Sequence, residues 1–282
     1  LVFFKENEYC EFSQRQAYIT LINEKPEYFK MLANSYFLEI SRQEIDTATK
    51  YVNFEIYRKL EFDIKTIIEK DFVHKKANNE IAKKHIDAIK NNIEILNKNH
   101  IKTLDSYDEN QIISKFAKNA ISYDKYVVNS AREYGKDKAI ELFNKFFDEI
   151  LNKFKIINTP KENVFKKYGI ENEFEDMHYV EDGLIDLCLQ NCFYMDNELW
   201  IYDQEWYEKN VPLEFIIYRN IVYTTDLEEI VSKKELFDKF KITKYVELFE
   251  KLDLAIQNKI RNEYMWKLYV NSTERVGKRN RE

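Results

Sequence analysis

Polar and apolar positions along the chain fall into a few distinct periods. Ser13 to Ile22 has a helical spacing (Ala17, Tyr18, Leu21), Pro26 interrupts it, and Met31–Ile40 reads as strand-like. From Tyr51 the period is two. Val52, Phe54 and Ile56 alternate with polar partners, Phe62, Ile64, Thr66 and Ile68 do the same, and Val73 then shares a face with Lys75. With a turn at Glu69-Lys70-Asp71, this predicts a three-stranded antiparallel unit over about 52–76. A helix is expected near 79–98, capped by Asn78 or Asn79 and striped by Ile81, Ile86, Ile89, Ile93 and Leu96. Short strands are expected near Ile101–Leu104 and Gln111–Ala117. Past Tyr123 the pattern turns helical, with Ile140, Phe143, Phe147, Ile150 and Phe154 on one face and Pro160 ending the region. Residues 183–203 read as a loop and a hairpin: Ile185–Asn191, then Cys192–Met195, a turn at Asp196-Asn197, and Leu199–Tyr202. Pro212 suits a first helical turn, and helices continue to about Val270. The pattern as a whole predicts an α+β chain, a small sheet with one helix ahead of a larger and mostly helical lobe.

Composition narrows the chemistry. The 282 residues hold four glycines (Gly135, Gly169, Gly183, Gly277) and three prolines, where average usage would supply about twenty and about fourteen. A G-x-G-x-x-G turn, a Walker A loop and a kinase-type glycine-rich loop all need glycines that are missing here. An apolar fraction of 44% excludes disorder. No apolar run approaches the roughly 20 residues that span a bilayer. Cys10, Cys188 and Cys192 form no Cys-x-x-Cys, so a reduced, cytoplasmic setting is expected. The opening Leu-Val-Phe-Phe-Lys-Glu lacks the basic and long apolar regions of a signal peptide and reads as a fragment of a longer protein. His74, His85, His100 and His178 have no metal-ligand spacing.

Charge is segregated. The net charge is -6, yet residues 171–214 alone hold thirteen acids against one base, Lys209. Such a block is ordinarily a solvated face. This one also interleaves Phe193, Tyr194, Trp200, Tyr202, Trp206 and Tyr207, the pattern of a site that holds a cation. Arg275, Lys278, Arg279 and Arg281 make a short basic tail without the extent or aromatic interleaving of a nucleic-acid surface, so no nucleic-acid partner is expected.

Within the acidic block, Asp186 and Asn191 stand as D-x-x-x-x-N, and the expected hairpin delivers Asp203 in Trp200-Ile-Tyr-Asp-Gln-Glu-Trp206. Phosphoryl transfer needs an acid to accept the acceptor hydroxyl's proton, and an amide with a second carboxylate to hold Mg2+ against nucleotide phosphates. Asp186 fits the first role; Asn191 and Asp203 fit the second. Taken singly, the three also suit a cap, a turn residue and a strand end.

With these residues the chain resembles the protein-kinase-like superfamily, nearer its aminoglycoside-phosphotransferase branch. That resemblance implies a two-lobed fold, a small lobe over 51–118 and a helical lobe with the catalytic-loop hairpin over 119–282, with ATP and Mg2+ as cofactors. It also implies a phosphate-binding lysine on the third strand, Lys75 with Lys76 as rival, oriented by Glu80 or Glu94. Leu184 stands where that pattern has a histidine, Gln204 where it can have a glycine, and the turn Arg58-Lys59-Leu60 has no glycine. Arg58, or Lys59, is therefore a candidate phosphate contact itself. The strings Leu32–Leu38, Arg58–Phe62, Asp203–Trp206 and Pro212–Arg219 are similar to kinase-like C-terminal regions of bacterial multidomain glycan enzymes. There an upstream methyltransferase or glycosyltransferase domain precedes the kinase-like one, residues 1–50 would be the junction, and a glycan or small polyol would be the acceptor. A noncatalytic scaffold of the same fold is the alternative, and an unrelated helical binding domain a third. Arg219 is expected to pair with an acid of its own lobe, such as Glu214, in a structural role.

Overall fold

The computed structural model describes residues 51–54, 57–118, 120–158, 160–263 and 266. The helix expected at Ser13–Ile22, the strand-like run Met31–Ile40, the 1–50 junction and the basic tail lie outside the described residues. The chain divides into two compact units, one of Leu1–Ile86, Glu109–Gln111 and Gln257–Glu282, the other of Asp87–Asp108 and Ile112–Ile256.

In the first unit, β1 (Tyr51–Phe54), β2 (Ile64–Ile68) and β3 (Phe72–Ala77) follow one another as the expected antiparallel meander. Thr66 lies opposite Asn53 on one side and Lys75 on the other. Four of the five β2 residues are β-branched, which favours a pleated surface buried on both sides, and Ile64 and Ile67 are buried on opposite faces. The β1–β2 connection is longer than a tight turn. Phe62, expected in the second strand, ends a 3-10 turn (Leu60–Phe62). The Lys59 N–H donates to the Ile260 carbonyl at 2.9 Å, the Asn262 N–H to that of Tyr57 at 2.7 Å, and Arg58 bridges Arg261.

Helix α1 (Lys83–Lys98) begins later than its apolar stripe. The Ala82 N–H donates to Asn79 Oδ1 at 2.9 Å, closing a turn ahead of the helix. Ile81 sits in that turn and is 59% exposed, so it leaves the expected stripe, while Ile86, Ile89, Ile93 and Leu96 are buried.

In the second unit, β4 (Asp105–Tyr107) pairs antiparallel with β5 (Gln111–Lys115). The strand expected at Ile101–Leu104 is therefore displaced toward β4. After β6 (Ile121–Ser122) come α2 (Tyr123–Tyr134) and α3 (Lys136–Glu149), joined by Gly135 alone at φ 87, a left-handed hinge that suits glycine. Phe143, Phe147, Ile150 and Phe154 are buried as expected, as are the aromatic side chains Tyr123, Phe146, Phe165, Phe215 and Phe249. Each such burial stabilises by about 1.5–3 kcal/mol.

Then follow β7 (Ile156–Ile157), a short α4 (Val164–Lys167) and β8 (Tyr179–Leu184). β9 (Cys192–Met195) and β10 (Glu198–Ile201) form the expected hairpin, and β11 (Tyr207–Pro212) pairs with β8. Asp196 and Asn197 turn the hairpin at φ 52 and 64, left-handed values that short polar side chains tolerate. β8 and β11 are additions to the sequence reading. Pro212 ends β11 and caps α5 (Leu213–Tyr223) instead of opening its first turn; α6 (Lys233–Lys239) and α7 (Val246–Ile260) follow.

Candidate active site

Asp186 leaves the end of β8 on a loop that closes into a 3-10 turn, Leu189–Asn191, before β9. The ladder carries on past β8, because the Ile185 N–H donates to the Trp206 carbonyl at 3.0 Å. This lays the Asp186 loop alongside the segment that follows β10. Asp186 Oδ2 accepts the backbone N–H groups of Glu205 (3.2 Å) and Trp206 (3.1 Å). Its carbonyl accepts Asn191 Nδ2 at 3.1 Å and Gln204 Nε2 at 2.9 Å. Asp186, Asn191 and the Asp203–Trp206 segment are thus brought together by direct hydrogen bonds.

Burial raises the Asp186 carboxyl to about 6, and the Glu205 carboxylate adds to that; Arg219 and the two backbone N–H groups act in the opposite direction. Asp186 Oδ2 is saturated by two donors. Oδ1 keeps acceptor capacity, with Arg219 Nη2 at 3.6 Å, and the side chain remains 12% exposed.

Asp203 follows β10 at φ 60. Its N–H donates to Asp105 Oδ2 at 2.8 Å, and Ser114 Oγ donates to the other oxygen of Asp105. Thr103 Oγ1 accepts the Asp105 N–H at 3.1 Å, and Thr103 itself bridges Ile201. Asp105 is a site residue that the sequence reading missed. Gln204 is fully buried: its side-chain amide donates to the Asp186 and Tyr202 carbonyls, at 2.9 and 3.0 Å, while its backbone carbonyl accepts Asn92 Nδ2 of α1 at 3.0 Å. Gln204 therefore ties the Asp186 loop to the end of the hairpin. Phe193 and Tyr202 stack at 4.4 Å beside Asn191, and the Tyr202 hydroxyl donates to the Gln190 carbonyl at 2.7 Å.

Arg219 pairs with an acid of the expected helical lobe, but that acid is Asp253 and not Glu214. Residues five apart on a helix point away from each other, and Glu214 instead accepts the backbone N–H and ring Nδ1 of His178. Arg219 is buried in the second unit. Nη1 is bonded to Asp253 Oδ1, Nε donates to the Ile185 carbonyl at 3.1 Å, and the guanidinium lies 4.7 Å over the Tyr223 ring. The neighbouring thiols are unsuited to nucleophilic work: Cys188 and Cys192 are buried, and burial pushes Cys188 up to about 11.

The remaining candidates belong to other elements. In the first unit, Lys75 is buried on β3 opposite Thr66, whereas Lys76 is half-buried on the other face opposite Lys65. Arg58 is half-buried in the backbone bridge to Arg261. Glu80 pairs with Lys83 at 2.8 Å, and in the second unit Glu94 accepts the Tyr107 hydroxyl at 2.6 Å. Among the described residues, no cluster of three or more His, Cys, Asp or Glu forms a metal cage. A magnesium ion does not require one, since it is commonly held by one or two protein oxygens with phosphates and water. Asp203 and Asn191 supply that kind of donor, and because Asn191 spends its Nδ2 on the Asp186 carbonyl, its oxygen remains for a cation.

The class defined by these features is an α+β protein of two compact units, with small antiparallel sheets and an Asp-Asn-Asp set on a strand-loop-hairpin. Among solved structures the chain is similar to LicA in complex with AMP, at 12% identity and TM-score 0.43, over 88% of this chain and 96% of that one. It is also similar to choline kinase LicA from Streptococcus pneumoniae, at 10% identity and TM-score 0.43, over 84% and 92%. A choline/ethanolamine kinase family protein from Mesorhizobium loti follows at 7% identity and TM-score 0.30, over 85% and 98%. The chain matches no family model and no curated protein in sequence. No described helix is long and apolar enough to cross a membrane.

Proposed function

We propose that the chain is a kinase-like phosphotransferase domain that moves a phosphoryl group from MgATP to a hydroxyl. The observation that carries this reading is the bonding of Asp186, Asn191 and the Asp203 segment into one constellation, with a carboxyl of raised basicity at its centre. Asp186 Oδ1 accepts the acceptor hydroxyl's proton while Oδ2 stays fixed by the two backbone N–H groups. Asn191 and Asp203 would hold Mg2+, which when bound neutralises phosphate charge and aligns the nucleotide. Lys75, and Arg58 beside the glycine-free turn, are the proposed phosphate contacts. The acceptor is proposed, from the sequence resemblance, to be a glycan or small polyol in cytoplasmic surface-polysaccharide biosynthesis, with an upstream methyltransferase or glycosyltransferase domain as partner.

Calorimetric titration with MgATP tests the reading. Binding by the wild-type chain that is lost in Asp203→Asn supports it; absence of binding at millimolar MgATP sinks it. One observation favours a noncatalytic scaffold instead: the β1–β2 connection is a 3-10 turn fastened to residues 260–262, not an open loop of backbone N–H groups. In that case Asp186→Ala and Asp203→Asn leave the product of the parent enzyme unchanged.

A further inference from the structure

We infer that Arg219 and Asn220, adjacent on α5, are positioning residues that clamp the Asp186 loop in its reactive shape, with Asp253 of α7 fixing the arginine. The inference rests on the reading of Asp186 as the base.

The loop from Ile185 to Leu189 keeps one ladder bond, from the Ile185 N–H to the Trp206 carbonyl, and is buried, so its other backbone polar groups need further partners. Three of its backbone groups and the Asp186 carboxylate face two consecutive residues of α5. Arg219 Nε donates to the Ile185 carbonyl at 3.1 Å, and Nη2 lies 3.6 Å from Asp186 Oδ1. Asn220 Nδ2 donates to the Leu187 carbonyl at 2.8 Å, and its Oδ1 accepts the Leu189 N–H at 2.9 Å. Neighbouring helix positions diverge by about 100°, so two of them reach one loop only where the loop wraps the helix.

Both clamping side chains are locked by further partners. Asn220 Nδ2 also donates to Ile216 of its own helix at 2.9 Å. Arg219 is held by Asp253, whose second oxygen accepts the Tyr223 hydroxyl at 2.9 Å, and by the Tyr223 ring beneath it. A side chain with one accessible rotamer transmits position, and one with several does not. The other buried side chains of the helix are aromatic or aliphatic (Phe215, Ile216, Tyr218, Ile221). Arg219 and Asn220 thus put buried polarity where packing alone asks for none.

The test uses Arg219→Lys, which keeps a charge for Asp253 but cannot reach the Ile185 carbonyl and Asp186 together, and Asn220→Ala. MgATP turnover with water as acceptor, and native-state amide exchange, are measured on the whole chain. Misplacing a reacting group by about 1 Å costs on the order of 100-fold. Both variants are therefore expected to lose roughly 10–100-fold in kcat while KM for MgATP stays within about threefold. The Leu189 amide is expected to exchange at least about tenfold faster in Asn220→Ala, and Asn220→Asp to restore its protection, since a carboxylate accepts the same N–H. Unchanged kcat in both variants overturns the clamp while leaving the phosphotransfer reading intact. Wild-type protein that neither binds nor turns over MgATP removes that reading instead. The exchange data then decide: faster exchange confined to Leu189, Glu205 and Trp206 supports the clamp, and unchanged exchange there overturns it.

Discussion

Gly183 lies on β8 opposite Glu208 of β11, one pair before the Leu184–Tyr207 end from which the Asp186 loop departs. A methyl group there would stand 2.3 Å from Val211 Cγ2, 2.6 Å from Val211 Cβ and 2.7 Å from the Glu208 carbonyl oxygen. Ordinary contact begins at 3.4 Å, so Val211 would have to retreat by about 1 Å. Val211 is fully buried and β-branched, which leaves it little rotamer freedom, and the Glu208 oxygen belongs to the main chain. Gly183→Ala should therefore cost toward the upper end of the ~1–3 kcal/mol typical of overpacking. At about 2–4 °C per kcal/mol for a chain of this order, the melting temperature falls by roughly 5–10 °C. Circular dichroism melts of Gly183→Ala, Val211→Ala and the double variant measure it. The double variant should recover part of the loss as a favourable coupling of about 1 kcal/mol, and not all of it, because the contacts with the Cβ at position 211 and with the Glu208 oxygen remain. A fall under about 2 °C, or strictly additive losses, would refute the close-approach account.

Asp186 has a folded pKa of about 6, above the ordinary ~3.9, so the fold favours its protonated form. The linked stability is present at low pH and lost as pH rises from about 4 through about 6. Melting curves of Asp186→Asn should accordingly decline less than those of wild type between about pH 4.5 and pH 7, and parallel curves would contradict the shift. Asp105→Ala removes the acceptor of the Asp203 N–H and of Ser114 Oγ; about 1–3 kcal/mol of stability is expected to go, with weaker MgATP binding by calorimetry. Lys75→Met should weaken MgATP at least about tenfold and Lys76→Met by less than about threefold, and the reverse order would exchange their roles.

What the sequence made legible depended on how local the cause was. The β1–β3 meander, the phenylalanine stripe of α3 and the Asp196-Asn197 turn each follow from neighbours in sequence, and all three are present. The Asp186–Asn191–Asp203 set was visible because a loop and a hairpin are short enough to fix its convergence. β8 and β11 were not visible. β8 is buried at both ends with Asp182-Gly183 near its middle, and β11 reads Tyr-Glu-Lys-Asn-Val-Pro with Glu208 buried; neither alternates. Glu208 is satisfied by Lys167 and Tyr168 from α4 and its end, a remote arrangement with no trace in the strand's own pattern. Asp105 and the Arg219–Asp253 pair were hidden for the same reason, since each acts on residues far along the chain.

The scarcity of glycine bears last on Asp203. Among the described residues, positive φ is taken by His100, Asp196, Asn197, Asp203, Asn210 and Lys241, and by Gly135 and Gly169. A non-glycine residue in that region costs about 1–2 kcal/mol. At Asp203 the cost is offset by the N–H bond to the Asp105 carboxylate, of a kind worth about 1.5–3 kcal/mol. The chain thus accepts strain to place a carboxylate at the turn, with Asp105 as the support. Asp203→Gly separates the two parts of that statement. Glycine relieves the backbone and keeps the N–H for Asp105, so the melting temperature should hold or rise by the equivalent of up to about 1 kcal/mol. MgATP binding by calorimetry should nonetheless fall at least about tenfold, because the oxygen donors are gone. A marked loss of stability would refute the strain account, and wild-type affinity would refute the role of Asp203 toward the metal.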